Sequence, residues 1–259
     1  MLSVVIPSYK DQYLNQTIQS ILDNAGVELE IIVVLDGYWR EDIVNDKRVK
    51  YVHLGRNRGM RGAINAGVNI AKGEYLMRVD EHCLFGKDFA KIILETIQPN
   101  WIVCMKRYFL DPVKWEVMDL PPVEFEKLCI QDSRKFAGFR WTERDVELKD
   151  VMIAETMAMQ GSCWIQPHKW WDEVIGELEN EGYGPHYQDS HEMVFKTWQA
   201  GGKLMLNKNT WYAHRHREFP RTHTHGSPEN PMKSIESWTY SLNTWREYYE
   251  KVIVPLWQI

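Results

Sequence analysis

Cysteine is scarce and scattered. The 259 residues include four, Cys83, Cys104, Cys129 and Cys163, and no two form a CxxC pair. That spacing excludes a zinc ribbon and argues against a disulfide framework, so reduced, mostly buried thiols are expected. No apolar run approaches the roughly 18 residues that a bilayer-spanning helix needs. No basic segment followed by an apolar one opens the chain, which predicts a soluble, cytoplasmic protein with no integral membrane segment. Positive charge is not in excess either: 31 Lys and Arg stand against 36 Asp and Glu, a net charge of −5, so the whole molecule is not built to bind a polyanion. Neither GxGxxG nor a Walker loop is present, and there is no internal repeat.

What is present reads as an α/β domain. A hydrophobic content of 44% is enough for a sizeable core in one large domain or two small ones. "LSVVIPSY" and "EIIVVLDG" are β-branched runs of the kind found in buried parallel strands. Between them "DQYLNQTIQSILDN" carries Leu14, Ile18, Ile21 and Leu22 at helical spacing. "VKYVHLG" is a third strand, "MRGAINAGVNIAKG" a small-residue helix that Gly73 is expected to close, and "EYLMRVD" a fourth strand. Alternating strands and helices predict a mostly parallel central sheet with flanking helices. A helix over "DFAKIILETI" and a strand over "WIVCMKRYF" continue it, residues 111 to 158 read as irregular, and "KLMLNKNTWYAHRHR" reads as a final strand pair. Ligands of such sheets sit at the carboxyl ends of the strands, where Ser8, Tyr9, Asp36, Gly37, Asp80 and His82 all fall.

Several stretches could carry chemistry. In "YLMRVDEHCLF", residues 75 to 85, three ionisable side chains follow an apolar run. They are either a solvated turn or a cluster with a use. Asp80 and His82 alternate along the backbone and can share a side. A carboxylate with an imidazole suits a borderline divalent ion, and "WYAHRHR" offers His214 or His216 as a third ligand. "GRNRGMRGAINAG" mixes glycines with Arg56, Arg58 and Arg61: either a basic loop opening a helix or a site for a diphosphate. "YQDSHE" places Asp189 and Glu192 three residues apart at a helix start, where Asp189 could cap the helix, act as a general base, or hold an acceptor hydroxyl. Residues 203 to 225 carry Lys203, Lys208, Arg215, Arg217 and Arg221 against Glu218 alone, an island suited to phosphate or simply a solvated face. The twelve Trp fit either stacking surfaces or core positions.

Taken together, "SVVIPSY", "VVLDG" and "NRGMRGAINAGVNIAKGEYLMRVDEH" resemble the family 2 glycosyltransferases and their GT-A-fold relatives, including the polypeptide N-acetylgalactosaminyltransferases. "GYGPHYQDSHEMVFKTWQAGGKLML" is similar to the second-half motif of the same families. The resemblance implies a metal-dependent glycosyltransferase that moves a sugar from a nucleotide-diphosphate sugar, UDP-linked, to an acceptor hydroxyl on a glycan. The resemblance covers about residues 2 to 110 and 155 to 217; the expected organisation is a GT-A domain over 1–228, with a nucleotide-sugar half over 1–110 and an acceptor half over 111–228, and a helical extension over 229–259, where the sequence is amphipathic and rich in aromatics. Pro7, Tyr9 and Asp36 would hold the base and ribose, and Arg58 and Arg61 would lie near the nucleotide. Gln160 and Gly161 would border the sugar. Asp80 and His82 form a D-x-H motif, as in the N-acetylgalactosaminyltransferases, and with His214 would hold Mn²⁺ or, as the alternative, Mg²⁺. Glu81 would turn away. Asp189 matches the base of inverting members and Glu192 would support it. Most family 2 members invert whereas those relatives retain, and inversion is the expected outcome. Two alternatives remain at this point: a transferase acting on hydroxylated bases of modified DNA, and an inactive nucleotide-sugar binding module.

Overall fold

The two most apolar runs of the sequence become neighbouring parallel strands, Leu2–Ser8 (β1) and Leu29–Asp36 (β2). Every residue of β2 is buried, which requires cover on both faces of the sheet. The period of two divides the side chains accordingly. Leu2, Val4, Ile6, Ile31, Val33 and Leu35 pack on one face with helix Leu14–Asn24 (α1), while Val5, Ile32 and Val34 pack on the other with Ala63, Ile64 and Val68. The computed structural model describes residues 1–216 and 233–259.

Parallel pairing continues to Val49–Leu54 (β3) on one side, and across β1 to Tyr75–Val79 (β4) on the other. Helix Gly59–Val68 (α2) links β3 to β4. After the short strand Cys83–Phe85 (β5) and helix Phe89–Leu94 (α3) comes the long strand Trp101–Asp111 (β6), whose end pairs with Glu116–Val117 (β7). A separate hairpin, Glu126–Gln131 (β8) with Lys135–Arg140 (β9), is followed by Thr142–Glu147 (α4) and Ile153–Glu155 (β10). Strand Cys163–Pro167 (β11) inserts antiparallel between β4 and β6. Helix His168–Trp170 (α5) runs into a π-helical turn, Trp171–Ile175. Helix Asp189–Gln199 (α6), strand Lys203–His214 (β12), helix Ser234–Tyr248 (α7), a second π-helical turn Tyr249–Ile253 and Val254–Trp257 (α8) complete the described chain. The sheet runs β10-β12-β6-β11-β4-β1-β2-β3.

Four expectations change. The predicted strand pair at 203–217 is one strand, β12, whose register against β6 shifts between Asn207 and Trp211; beyond the shift it also pairs with β5. Gly73 does not cap α2, which ends at Val68. Its amide donates to Ser3 Oγ at 2.7 Å, and a Cβ there would lie 2.6 Å from the Ser3 nitrogen, so its small size seats the chain against β1. Residues 111 to 158, expected to be irregular, hold the β8–β9 hairpin, with Leu128 and Phe136 buried. The C-terminal helices share the core of the domain: Trp245 stacks on Phe195 of α6, centroids 5.0 Å apart, and the Tyr249 hydroxyl donates to the Leu128 carbonyl at 2.8 Å. Trp164, Trp171, Trp198 and Trp245 are buried in that core with the Cys104 thiol, and Cys83 and Cys163 are buried in the core on the other face of the sheet. Among the described residues no helix is long and apolar enough to cross a membrane.

Close contact between α2 and the sheet rests on Gly67, where a Cβ would stand 2.4 Å from Val5 Cγ1 and 3.1 Å from Val34 Cγ2. Gly67→Ala is therefore expected to cost about 1–3 kcal/mol through overpacking. The control Gly55→Ala, with no atom within 4 Å, should stay within about 0.5 kcal/mol. Urea midpoints of the two variants check this; equal midpoints would refute the packing account.

Candidate active site

The carboxyl ends of β1, β2 and β4 open into a cavity of about 340 Å³. Its walls include Pro7, Ser8 and Tyr9 from the end of β1, and Asp36 from the end of β2. Asp80, Glu81 and His82 follow β4. Gln160, Gly161 and Ser162 precede β11, His186 to Asp189 lead into α6, and His214 and His216 close β12.

Asp80, His82 and His214 each turn one ligand atom inward, and these atoms lie within 4.8 Å of one another. Backbone pairing makes this possible. Asp80 is fixed by its amide bond to the Ser162 carbonyl at 2.9 Å, and His214 is opposite Cys83 in the β12–β5 register. His214 Nε2 is 3.1 Å from Asp80 Oδ2 and 3.1 Å from His82 Nε2. His82 Nδ1 is 3.1 Å from Asp11 Oδ2, so a carboxylate orients the imidazole from behind, as carboxylates do for metal-ligating histidines. Burial, countered in part by Asp80, pulls His214 down to about 3, which keeps it neutral and able to ligate. Burial alone would raise the Asp80 carboxyl, but the Arg78 guanidinium and His214 outweigh it and hold it well below the usual range. His216 lies outside this cluster, beside Arg107 and 5.0 Å from the Phe109 ring by centroids.

Asp36 is at the cavity but its oxygens are engaged. They accept from the amides of Arg58 at 2.6 Å and Gly59 at 2.8 Å and from Asn57 Nδ2 at 2.9 Å. Burial nonetheless pushes its carboxyl up to about 6. Asp36 thus pins the start of α2 against the end of β2. Glu81 does not turn away as expected: it is buried, and both oxygens sit 3.2 Å from the Tyr9 amide.

The two arginines expected near the nucleotide do not line the cavity. Arg58 is exposed at the start of α2. Arg61 is fully buried: Nε donates to the Glu179 carbonyl at 2.8 Å, Nη1 to the Tyr187 carbonyl at 3.0 Å, and Nη2 to Glu192, with the guanidinium 4.4 Å from the Tyr183 ring centre. Glu192 is bound from its other side by Lys196 at 2.6 Å and does not line the cavity. This buried ion pair holds the segment that carries His186, Tyr187 and Asp189. Asp189 does line the cavity, and its Oδ2 is buried with no hydrogen-bond partner. Burial raises its carboxyl against the pull of Arg78 and Arg61.

Three site residues were missed from sequence. Asp11 sits in the loop before α1, 71 residues from His82. Arg78 and Arg107 line the cavity from β4 and β6. Arg78 left a readable signal, a lone charge inside the apolar run "YLMRV". Among the described residues the basic island is not assembled as a free face. Lys208 is buried and pairs with Glu124 at 3.3 Å, Lys203 pairs with Glu155 at 3.4 Å, and Arg215 lies 5.0 Å from the Tyr13 ring. Arg217, Glu218 and Arg221 are outside the described residues, as is the expected boundary at 228.

If Glu192 serves Arg61 and not the reaction, the two should couple in stability. Arg61→Met is expected to cost about 3–5 kcal/mol by stranding a buried carboxylate. Arg61→Met with Glu192→Met should cost less than the sum of the single changes. A double-mutant cycle in urea measures this, and additive costs would contradict the pairing.

Known proteins share this architecture and sequence. Polypeptide N-acetylgalactosaminyltransferase 12 of Mus musculus is 22% identical over 275 residues, covering 96% of this chain and 44% of that protein. Glycosyltransferase GlyG of Streptococcus pneumoniae is 29% identical over 106 residues, 38% of this chain and 35% of its own length. The chain thus spans less than half the length of these curated relatives. The crystal structure of GalNAc-T7 with UDP, GalNAc and Mn²⁺ matches with a TM-score of 0.75 at 18% identity, over 98% of this chain and 50% of that one. That likeness shows the fold, the GT-A arrangement expected from the sequence. The family model for glycosyl transferase family 2 matches residues 3–143, more than half of the chain. The chain belongs to glycosyl transferase family 2.

Proposed function

We propose that this chain transfers a glycosyl group from a nucleoside-diphosphate sugar, UDP-linked, to an acceptor hydroxyl on a glycan, with Mn²⁺ held by Asp80, His82 and His214. The observation that carries this reading is the convergence of those three ligand atoms within 4.8 Å inside the cavity at the strand ends. The donor set fits: one carboxylate and two imidazoles suit a borderline divalent ion, and His82 already has its orienting carboxylate in Asp11. The solved GalNAc-T7 holding UDP and Mn²⁺ supports the same choice.

When bound, the ion would neutralise the charge that develops on the departing diphosphate. The rest falls to the chain. Pro7, Tyr9 and Asp36 border the nucleoside end of the cavity, with Asp36 acting by fixing the 57–59 loop that faces it. Gln160 and Gly161 border the sugar. A Cβ on Gly161 would meet Ser190 Oγ at 3.3 Å and Asp189 Oδ2 at 3.8 Å, so glycine keeps that wall open beside the carboxylate. Asp189 takes the acceptor proton through Oδ2, its unbonded oxygen, and a raised pKa suits a general base. Direct attack by that hydroxyl inverts the anomeric centre. Retention is the second reading, favoured by similarity to the N-acetylgalactosaminyltransferase over 96% of the chain.

UDP release from a panel of UDP-sugars is expected to need Mn²⁺, to stop with EDTA and to return on adding Mn²⁺ back. Asp80→Asn and His214→Ala should abolish Mn²⁺ binding together with the activity. Asp189→Asn should lower turnover by about 10²–10⁴-fold with Mn²⁺ binding intact. Full activity in Asp80→Asn would remove the metal assignment. Wild-type turnover in Asp189→Asn, or a product of retained configuration, would remove the base assignment.

A further inference from the structure

Among the described residues three arginines are buried, and two of them hold a carboxylate: Arg61 has Glu192 and Arg78 has Asp80. Arg107 is the exception. It lines the cavity from β6 and is 7% exposed, yet among the described residues it forms no ion pair. Its Nη1 donates to His216 Nε2, and its guanidinium lies 5.7 Å from the Phe109 ring centre. The buried Nε has no hydrogen-bond partner. A buried guanidinium without a counter-charge is costly, so a partner from the cavity is called for.

The carboxylates of the cavity wall do not take that place. Asp80 pairs with Arg78, Asp36 is bonded to the 57–59 loop and Glu81 faces the Tyr9 amide. Asp189 lies in the field of Arg78 and Arg61. Burial pushes the carboxyl of Glu126, on β8, up to about 7 against the pull of Arg107, so it is no full counter-charge at neutral pH. The metal cluster is not the partner either. Strand β12 pairs with β5 along one edge and with β6 along the other, so Arg107 approaches His214 from the side away from His82. Its contact in that direction is His216, whose ring is 5.4 Å from that of His214 by centroids.

Arg107 belongs instead to the wall assigned above to the sugar. It is opposite Tyr212 in the β6–β12 register, and Tyr212 Oη is 2.8 Å from Ser162 Oγ, next to Gln160 and Gly161. A planar guanidinium can bind a carboxylate through two parallel N–H bonds, whereas a neutral sugar would leave its charge unmatched. We propose that Arg107 is a specificity-determining residue that receives the carboxylate of an acidic sugar, a hexuronic acid, carried by the donor or by the acceptor. The inference rests on the nucleotide-sugar reading above and names the class of sugar.

Calorimetric titration of the full chain in the presence of Mn²⁺ tests it without any turnover. One arm compares UDP, UDP-glucose and UDP-glucuronate; the two sugars differ only in a hydroxymethyl group against a carboxylate. The other arm holds UDP at saturation and compares methyl glucoside with methyl glucuronide. In at least one arm the wild type should bind the acid at least about tenfold more tightly than its neutral counterpart, and the arm that shows this identifies the source. Arg107→Gln should remove the preference while binding UDP as the wild type does. Arg107→Lys, charged but without the planar fork, should keep part of it. A wild type with no preference for the acid in either arm overturns the proposal, whether or not the variants fold. If Arg107→Gln weakens UDP by the same factor as the acid, Arg107 is a phosphate ligand and the proposal is overturned as well. If the wild type binds none of the three UDP compounds, the nucleotide-sugar reading itself fails and takes this inference with it.

Discussion

The antiparallel pairing of β12 with β5 is the constraint on which the site depends. Asp80 and His82 come from one short segment, and His214 comes 132 residues after His82. Only the register that sets His214 opposite Cys83 brings the second imidazole to the first, and the Arg215 amide bond to the His82 carbonyl at 3.1 Å locks it. That register is available because β12 slips against β6 between Asn207 and Trp211. Before the slip, β12 extends the sheet beside β6. Beyond it, the strand serves β6 and β5 together and ends at the cavity.

Around that junction two buried carboxylates do structural work that resembles catalytic placement. Asp36 gathers the donors of residues 57 to 59 and so sets where α2 begins. Glu192 neutralises Arg61, whose other donors hold the carbonyls of Glu179 and Tyr187. The cavity walls are thereby tied to α2 and α6. Asp189 differs from both because it lines the cavity with its buried Oδ2 in no hydrogen bond, whereas the oxygens of Glu192 face Arg61 and Lys196. The proposed role of Asp189 as base rests on that contrast.

Much of this was legible in the sequence, for physical reasons. The runs at β1 and β2 are apolar on both faces, so they could only be buried parallel strands. The small residues Gly62, Ala63, Ala66 and Gly67 announced a helix that lies close to a sheet. Asp80 and His82 stood out because ionisable groups after buried strands are costly without a use, whereas the third ligand stayed open between His214 and His216 until the family resemblance favoured His214. The β8–β9 hairpin was not legible: its turn uses Asp132 and Ser133 at φ of 51° and 55°, without the glycine that signals such a turn. Arg61 misled because a basic residue near glycines suggests a phosphate, yet the helical phase that buries Ile64, Asn65 and Val68 also turns Arg61 inward. Asp11 and Arg107 become site residues only through contacts that local pattern does not encode.

The central claim is that the three converging ligands hold a divalent ion together with a nucleotide diphosphate. Anomalous scattering from crystals grown with Mn²⁺ and UDP tests it most directly. The account predicts one manganese peak bonded to Asp80 Oδ2, His82 Nε2, His214 Nε2 and the diphosphate oxygens. A manganese peak elsewhere, or bound UDP with no metal between it and these three side chains, would contradict it.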